Sequence, residues 1–147
     1  MQLIPSDRAA VVGSIDPDAY AASTVTTGWI SAAAFNRFMA VVMAGDLGTS
    51  ATLDAKLEQA TNGSGSGAKD ITGKAITQLT QAGTDSNKQA LINLEQAALD
   101  VDGGFTHFRL SMTIGTATSD AGGMVLGFDP AHGPASDHDA ASVDEIV

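Results

Sequence analysis

Apolar and polar residues alternate along two stretches of the chain, and this alternation predicts two β-strands. In the run 51–58 the odd-numbered residues are Ala or Leu, and the even-numbered residues are Thr, Asp, Lys and Glu. In the run 106–114 the even-numbered residues from Phe108 to Ile114 are apolar, and the residues between them are polar. A half-buried antiparallel strand shows this pattern. We therefore expect a shared core that contains Leu53, Leu57, Phe108, Leu110 and Met112.

Shorter apolar segments predict further strands, with turn-forming residues between them. These segments are 24–30, 38–43, 71–74, 76–80, 90–94 and 124–128. Gly, Asp, Asn and Ser are concentrated in the intervening stretches 45–48, 62–67, 83–87, 100–104 and 120–123. Many short strands with regular turns predict an all-β fold, a jelly-roll-like two-sheet antiparallel β-sandwich.

Two segments also have helical character. Residues 31–38 contain three consecutive alanines and could form one helical turn before a strand. Residues 88–98 have fair helix propensity, and Leu91, Leu94 and Ala98 would form a stripe with helical spacing. For this second segment, strand and helix both remain open.

The composition and the periodicity of the chain change at two points, which predicts three regions. Residues 1–22 contain Pro and Gly with few apolar anchors, so we expect an extended N-terminal arm. Residues 23–128 hold the periodic segments and form the β-sandwich domain. Residues 129–147 are acidic, contain Gly and Pro, and are expected to form an irregular, solvated C-terminal tail.

Composition adds an expectation of self-association. The chain has 147 residues, of which 44% are hydrophobic, but only five Phe, one Tyr and one Trp supply aromatic rings. A core with so few rings is thin, so association between copies would add stability. We expect a homo-oligomer, and a homotrimer in particular.

The charge balance excludes one class of partner. Seventeen acidic and seven basic residues give a formal net charge of −10. Such a chain repels phosphate backbones, and no cluster of Lys or Arg offsets this, so we expect no nucleic-acid binding. The first residues lack the apolar core of a signal peptide, and no apolar run could span a bilayer. We therefore expect synthesis in the cytoplasm and no membrane partner.

Candidate chemistry is sparse, and we predict that the protein is not an enzyme and binds no cofactor. The chain has no Cys, which removes thiolate nucleophiles and thiolate metal ligands. Asp100 and Asp102 resemble the start of a calcium loop, but the expected Glu at loop position twelve is replaced by Ser111, so a β-turn is the better interpretation. His132, Asp137, His138 and Asp139 lie close together in the tail, where Gly and Pro do not preorganise metal ligands. No catalytic residues and no metal ligands are predicted.

Interaction is the remaining function class, and a few apolar residues are candidate anchors. Trp29 is the single tryptophan and could fill the core or anchor an interface. Apolar residues within the arm and the tail have little reason to be there unless they dock on a partner. The candidate interface residues are Val11, Val12, Ile15, Trp29, Val143 and Ile146.

Four stretches carry a resemblance to a known group of proteins. Residues 24–29, 53–60, 68–74 and 105–110 resemble small structural proteins from the head-morphogenesis region of tailed bacteriophages. The resemblance implies a virion protein on the capsid surface, a head decoration or cement protein that docks on the major capsid protein as a trimer. A head–tail connector or tail component is the first alternative. A carbohydrate- or surface-binding β-sandwich module is the second, although it usually presents several aromatic rings.

Overall fold

The computed structural model describes residues 3–147, and nearly all regular structure in this range is β-strand. The described residues form ten strands, one short α-helix and two 3-10 helices. In chain order the helix and strands are α1 Pro5–Arg8, β1 Ala9–Tyr20, β2 Ser23–Thr26, β3 Ile30–Ser31, β4 Phe35–Ala44, β5 Thr52–Ala60, β6 Lys69–Ala75, β7 Leu79–Thr80, β8 Gln89–Glu95, β9 His107–Gly115 and β10 Ser119–Pro130. The 3-10 helices are Gln96–Ala98 and Ala135–His138.

The strands form two antiparallel sheets whose pairs are nested along the chain. Sheet A has the order β1-β10-β4-β8, and sheet B has the order β2-β9-β5-β6. The short strands β3 and β7 pair with β9 and β5 in sheet B. The first strand thus pairs with the last, β2 and β3 pair with β9, β4 pairs with β8, and β5 pairs with β6 and β7. The predicted all-β, two-sheet antiparallel sandwich is confirmed.

The core lies between the sheets and is built from the predicted apolar faces. Leu53, Leu57, Phe108, Leu110 and Met112 are all buried, as the alternation predicted. They face the inner side of sheet A, where β4 contributes aromatic rings. Phe38 packs edge-on against Phe35 with ring centroids 5.9 Å apart, and against Phe108 at 4.6 Å.

The N-terminal boundary predicted at residue 22 is wrong, because residues 9–20 are a strand of the sandwich. β1 pairs with β10 from Ala9 to Tyr20, and register shifts interrupt the ladder between Val11 and Gly13 and between Ile15 and Asp18. Pro17 lies within the second irregularity. Bulges and Pro are tolerated in edge strands, and here they broke the sequence pattern that would have revealed the strand.

The C-terminal tail is also more ordered than predicted, because residues 135–140 pack on the sandwich. Ala135 is fully buried, and the His138 ring packs edge-on against Phe35 at 5.4 Å. Asp139 Oδ1 accepts a hydrogen bond from the Val11 backbone N–H at 2.9 Å, and the Ala140 N–H donates to the Val11 carbonyl at 2.7 Å. The expected solvated tail therefore covers part of the β1 edge.

Two further segments differ in detail from the expectation, and for a third the structure decides between two open alternatives. The predicted strand 24–30 is two strands, because the Thr27 hydroxyl accepts from the Leu110 N–H in place of a regular ladder. The alanine-rich segment before β4 is a turn, not a helix, and β4 begins at Phe35. The ambiguous segment 88–98 is strand β8 followed by a single 3-10 turn.

Truncation of core leucines tests the face assignment. Leu53 and Leu110 are fully buried on adjacent strands of sheet B. We expect Leu53→Ala and Leu110→Ala each to lower the free energy of unfolding by about 2–5 kcal/mol, through lost burial and the cavity left behind. Denaturant unfolding measures this, with the exposed Leu91→Ala as the control, expected within about 0.5 kcal/mol of wild type. Core variants as stable as the control would contradict the face assignment.

Deletion of residues 1–15 tests whether β1 belongs to the folding unit. The deletion removes Ala10 and Ile15 from the core and leaves one side of β10 unpaired. We expect the truncated chain to lose its cooperative thermal transition, measured by circular dichroism. A control lacking only residues 1–4, which precede α1, should melt like the full chain. A truncated chain lacking 1–15 that still melts cooperatively at the wild-type temperature would restore the arm interpretation.

Candidate interaction surface

The outer face of sheet B is polar and carries a row of paired charges. Arg109 Nε donates to Glu58 Oε2 at 2.7 Å, and these two residues lie directly opposite each other on β9 and β5. Lys56 Nζ lies 2.8 Å from Asp70 Oδ1 and 3.7 Å from Glu58 Oε1. The hydrogen bond to Asp70 raises the pKa of Lys56 above its ordinary value. This face has the polar pattern of a sheet surface in contact with water.

Trp29 lies on this polar face and not in the core between the sheets. The Arg109 guanidinium carbon stands 4.4 Å from the centroid of the indole ring. The β5–β6 loop closes on the edge of the ring, because a Cβ added at Gly65 would lie 2.5 Å from Trp29 Nε1. The Arg109 guanidinium therefore covers one face of the Trp29 ring, and the β5–β6 loop lies against its edge.

The outer face of sheet A is apolar, in contrast to that of sheet B. Val41 on β4 lies directly opposite Leu91 on β8 and Met124 on β10. The next row places Met39 opposite Leu126, which in turn lies opposite Val11 on β1. We call the outward-facing apolar side chains of this sheet the sheet A patch. Its members are Val11, Met39, Val41, Met43, Leu91, Met124, Leu126 and Phe128.

The sheet A patch is accessible to solvent in the single chain. Leu91 and Met43 are 58% and 45% exposed, and the other members are half-buried. Two open depressions lie at its ends, one beside Met43 and Met124 and one beside Met39 and Phe128. Complete burial of such a side chain stabilises by about 1.5–3 kcal/mol. We therefore treat the sheet A patch as a candidate interaction surface, because contiguous exposed apolar faces are typical of such surfaces.

Charged and polar residues border the patch at both ends. Arg37 lies between Glu95 and Phe128 across the strands at one end. Asp18 and Asp120 line the depression at the other end. An apolar centre with a polar rim is the arrangement found in protein–protein interfaces.

Only part of the predicted set of interface residues lies on this surface. Val11 is half-buried beside Leu126 and belongs to the sheet A patch. Val12 is the extra residue of a bulge and packs against the core. Ile15 is a core residue, 3% exposed within the single chain, so its prediction as an interface anchor is wrong.

The structure shows where the two predicted anchors in the tail lie, but it does not show a binding partner for either of them within residues 3–147. Val143 is half-buried, and its N–H donates to the Ala140 carbonyl at 2.9 Å. Ile146 is 51% exposed. Both stay predictions as interface residues.

Of the residues in the sheet A patch, only Val11 was predicted as an interface residue, although the sequence carries a signal for the others. Residues 38–44 are an unbroken apolar run, and residues 124–128 are another. A strand with one face in water alternates apolar and polar residues, whereas a strand covered on both faces does not. The absence of alternation in β4 and β10 is therefore the signal that both of their faces are built for burial.

Asp100, the first residue of the calcium-loop-like segment, is engaged in local interactions. Asp100 Oδ1 accepts from the Gly103 N–H at 3.0 Å, and Lys69 Nζ lies 2.7 Å from Asp100 Oδ2. These bonds, the one to Lys69 foremost, lower the pKa of the Asp100 carboxyl. The turn expected at this position is observed. Within residues 3–147 no group of three or more His, Asp or Glu side chains is placed to hold a metal ion.

A membrane-spanning helix is not found in the part of the chain that the structure describes. No helix within residues 3–147 has the length and apolar character needed to cross a bilayer.

Comparison with known proteins identifies the fold. No protein-family model matches the sequence, and no characterised protein matches it at a significant level. A chain in the structure of broad bean stain virus aligns with a TM-score of 0.50 at 10% identity, over 88% of this chain and 89% of that chain. A chain of the cowpea mosaic virus empty virus-like particle aligns with a TM-score of 0.49 at 9% identity, over 89% and 85%. The chain is a jelly roll.

At this level of identity the likeness concerns the fold alone. The nested strand pairing agrees with it, because a jelly roll is an antiparallel ribbon rolled into two sheets. The predicted fold class is therefore confirmed. A shared jelly-roll fold does not by itself assign a function, which has to be argued from the surface.

Removal of Arg109 tests the packing of the polar face. Arg109→Ala uncovers one face of the Trp29 ring and leaves Glu58 without its closest partner. We expect a larger accessibility of Trp29 to a soluble fluorescence quencher and a loss of about 1–3 kcal/mol in unfolding free energy. The control is Arg8→Ala, since Arg8 lies 4.0 Å from Asp129 in an exposed pair. Unchanged quenching in Arg109→Ala would show that the stacked arrangement is not populated.

Proposed function

We propose that this protein is a structural, non-enzymatic component of a virion shell. More specifically, we propose a decoration or cement protein that attaches to the major capsid protein at the capsid surface. The single observation that carries the proposal is the sheet A patch, an apolar face on a sheet that is already apolar on its inner side. Such a face is suited to permanent contact with another protein.

The fold and the charge of the chain support a role on a shell. A viral chain shares the jelly-roll fold over most of both lengths. The net charge of −10 disfavours contact with packaged nucleic acid, which suits a position away from the genome. On a shell, the same weak contact is repeated at every equivalent site, and repetition of linked contacts strengthens attachment without any new interaction.

The proposed mechanism is a clamp across the joints between capsid subunits. The sheet A patch would bury its apolar side chains on the shell, and its charged rim, which includes Arg37 and Glu95, would set the orientation. A clamp of this kind binds only the assembled shell, so it stabilises that state by mass action.

We also propose that the protein works as a homotrimer. Leu3 and Ile4 near the N-terminus and Ile146 near the C-terminus are each more than half exposed, and they offer apolar contacts between copies. The small aromatic content of the core favours such association. Light scattering should give the mass of three chains or a whole multiple of it, and a mass of one or two chains at high protein concentration would remove the trimer from the proposal.

A charge placed in the sheet A patch tests the attachment. The chain is coexpressed with a candidate major capsid protein of the same virus, and particles are purified on a density gradient. We expect Val41→Lys to fold normally and to be lost from the particles, because a buried lysine without a partner is costly. Thr113→Lys, on the polar outer face of sheet B, is the matched control and should remain particle-bound.

The outcomes of this experiment separate the alternatives. Wild type and Thr113→Lys in the shell fraction, with Val41→Lys absent, would support the decoration role. Wild type found only in a tail fraction would favour a connector or tail component. Full occupancy of the shell by Val41→Lys would contradict the use of the sheet A patch.

A further inference from the structure

The edges of the two sheets are protected unequally. Unpaired strand edges invite further pairing, and proteins block them with bulges, Pro, charges or covering segments. β1 has two bulges and Pro17, and the tail residues Asp139 and Ala140 bind its backbone at Val11. The edge strands of sheet B are blocked too, because β6 has a register shift and Gly73 at φ 77°, and β2 and β3 are short and separate.

The fourth edge strand, β8, has none of these devices. The segment Gln89–Glu95 pairs with β4 in continuous register, without a bulge. It contains no Pro, Gly or Lys, and its one charge is Glu95 at its end. Its residues alternate between exposed and buried along the strand, with Ile92 and Leu94 in the core.

The hydrogen-bond pattern shows which backbone groups of β8 face outward. The Ala44 N–H donates to the Lys88 carbonyl at 2.9 Å, whereas the Gly45 N–H points the other way and donates to Asp120 at 2.7 Å. Even-numbered residues of β4 therefore bond to β8, and their partners in the register are even-numbered residues of β8.

The odd-numbered residues of β8 consequently present their N–H and C=O groups to the free edge. Their side chains are exposed as well. Within residues 3–147 no loop, tail or side chain bonds to the outward backbone groups of Leu91 or Asn93. The edge is an ordered row of donors and acceptors beside the apolar Leu91 of the sheet A patch.

We propose that β8 pairs in antiparallel fashion with β8 of a second copy of this chain, about a two-fold axis at Ile92. This register places Leu91 opposite Asn93 of the partner copy and Gln89 opposite Glu95, with each such pair exchanging two backbone hydrogen bonds. The two sheets A then form one continuous sheet across the axis.

The side chains of β8 suit a second copy. The Gln89 amide can donate to the Glu95 carboxylate of the partner copy at each end of the junction, so the one charge on the strand gains a partner. The Leu91 side chains become diagonal neighbours on the outer face, within reach of each other. The two sheet A patches then join into one apolar surface, continuous with the surface proposed to bind the shell.

The inference goes beyond the proposed function and does not depend on it, because it needs only the isolated protein. A two-fold contact at β8 also differs from the proposed three-fold association. It would join two single chains, or all three β8 edges of one trimer to those of a second trimer, and in either case it doubles the mass.

A proline placed at the free edge tests the pairing. Asn93→Pro removes an outward N–H and leaves the β4–β8 hydrogen bonds intact, and Pro is compatible with an edge strand in this orientation. Asn93→Ala is the matched control, since it loses the same side chain but keeps the N–H. Sedimentation equilibrium of the purified full chain at high concentration should give a mass for Asn93→Pro that is half that of wild type and of Asn93→Ala.

A second variant and a second measurement cover a failure of Asn93→Pro to fold. Leu91→Lys keeps the backbone but opposes two like charges across the junction, and it should halve the mass as well. In wild type, the exchange of the Leu91 and Asn93 amide hydrogens should slow as protein concentration rises. Equal masses for wild type and Leu91→Lys, or amide exchange independent of concentration, would overturn the pairing.

Discussion

The pairing of β4 with β10 is the interaction on which the rest of the structure depends. It joins residues about eighty positions apart in the chain and forms the centre of sheet A, to which β1 and β8 add on either side. Its inward side chains, such as Val42 and Val125, are fully buried in the core. Its outward side chains make most of the sheet A patch. A single strand pair thus supplies both the stability of the sandwich and the surface through which the protein is proposed to act.

Close packing against this pair also orders the tail. The Phe35 ring lies directly on the β10 backbone, since a Cβ added at Gly127 would meet its Cγ at 2.7 Å. The same ring contacts Phe38 in the core and His138 in the tail. Pro130 lies opposite Phe35 and has no N–H to donate to β4. The Phe35 carbonyl accepts a hydrogen bond from the Gln96 side-chain amide at 2.7 Å. The contact between Gly127 and Phe35 thus lies near the end of β10, and the tail packs on the same ring through His138.

The sequence predicts the sandwich where one face of a strand meets water, and it fails where that condition does not hold. β5 and β9 alternate cleanly because sheet B has a polar outer face with Glu58 and Arg109, so their core residues were predicted correctly. The bulges of β1 break the alternation, so the sequence pattern of residues 1–22 predicts an arm. Most of the sheet A patch was not predicted because the central runs 38–44 and 124–128 place apolar residues on both faces and show no alternation. The composition of the tail predicts a solvated segment, because its contacts are long-range bonds to the backbone of Val11, for which local composition carries no signal.

The central claim is that the outer face of sheet A is covered in the assembled state, and methionine oxidation tests it most directly. Met39, Met43 and Met124 lie in the sheet A patch, whereas Met112 is fully buried in the core and serves as an internal reference. Thioether oxidation follows solvent access, so the three patch methionines should react faster than Met112 in the isolated chain. In purified particles that contain the protein, the account predicts that their oxidation slows towards the rate of Met112. Patch methionines that react as fast on the particle as in the isolated chain would contradict it.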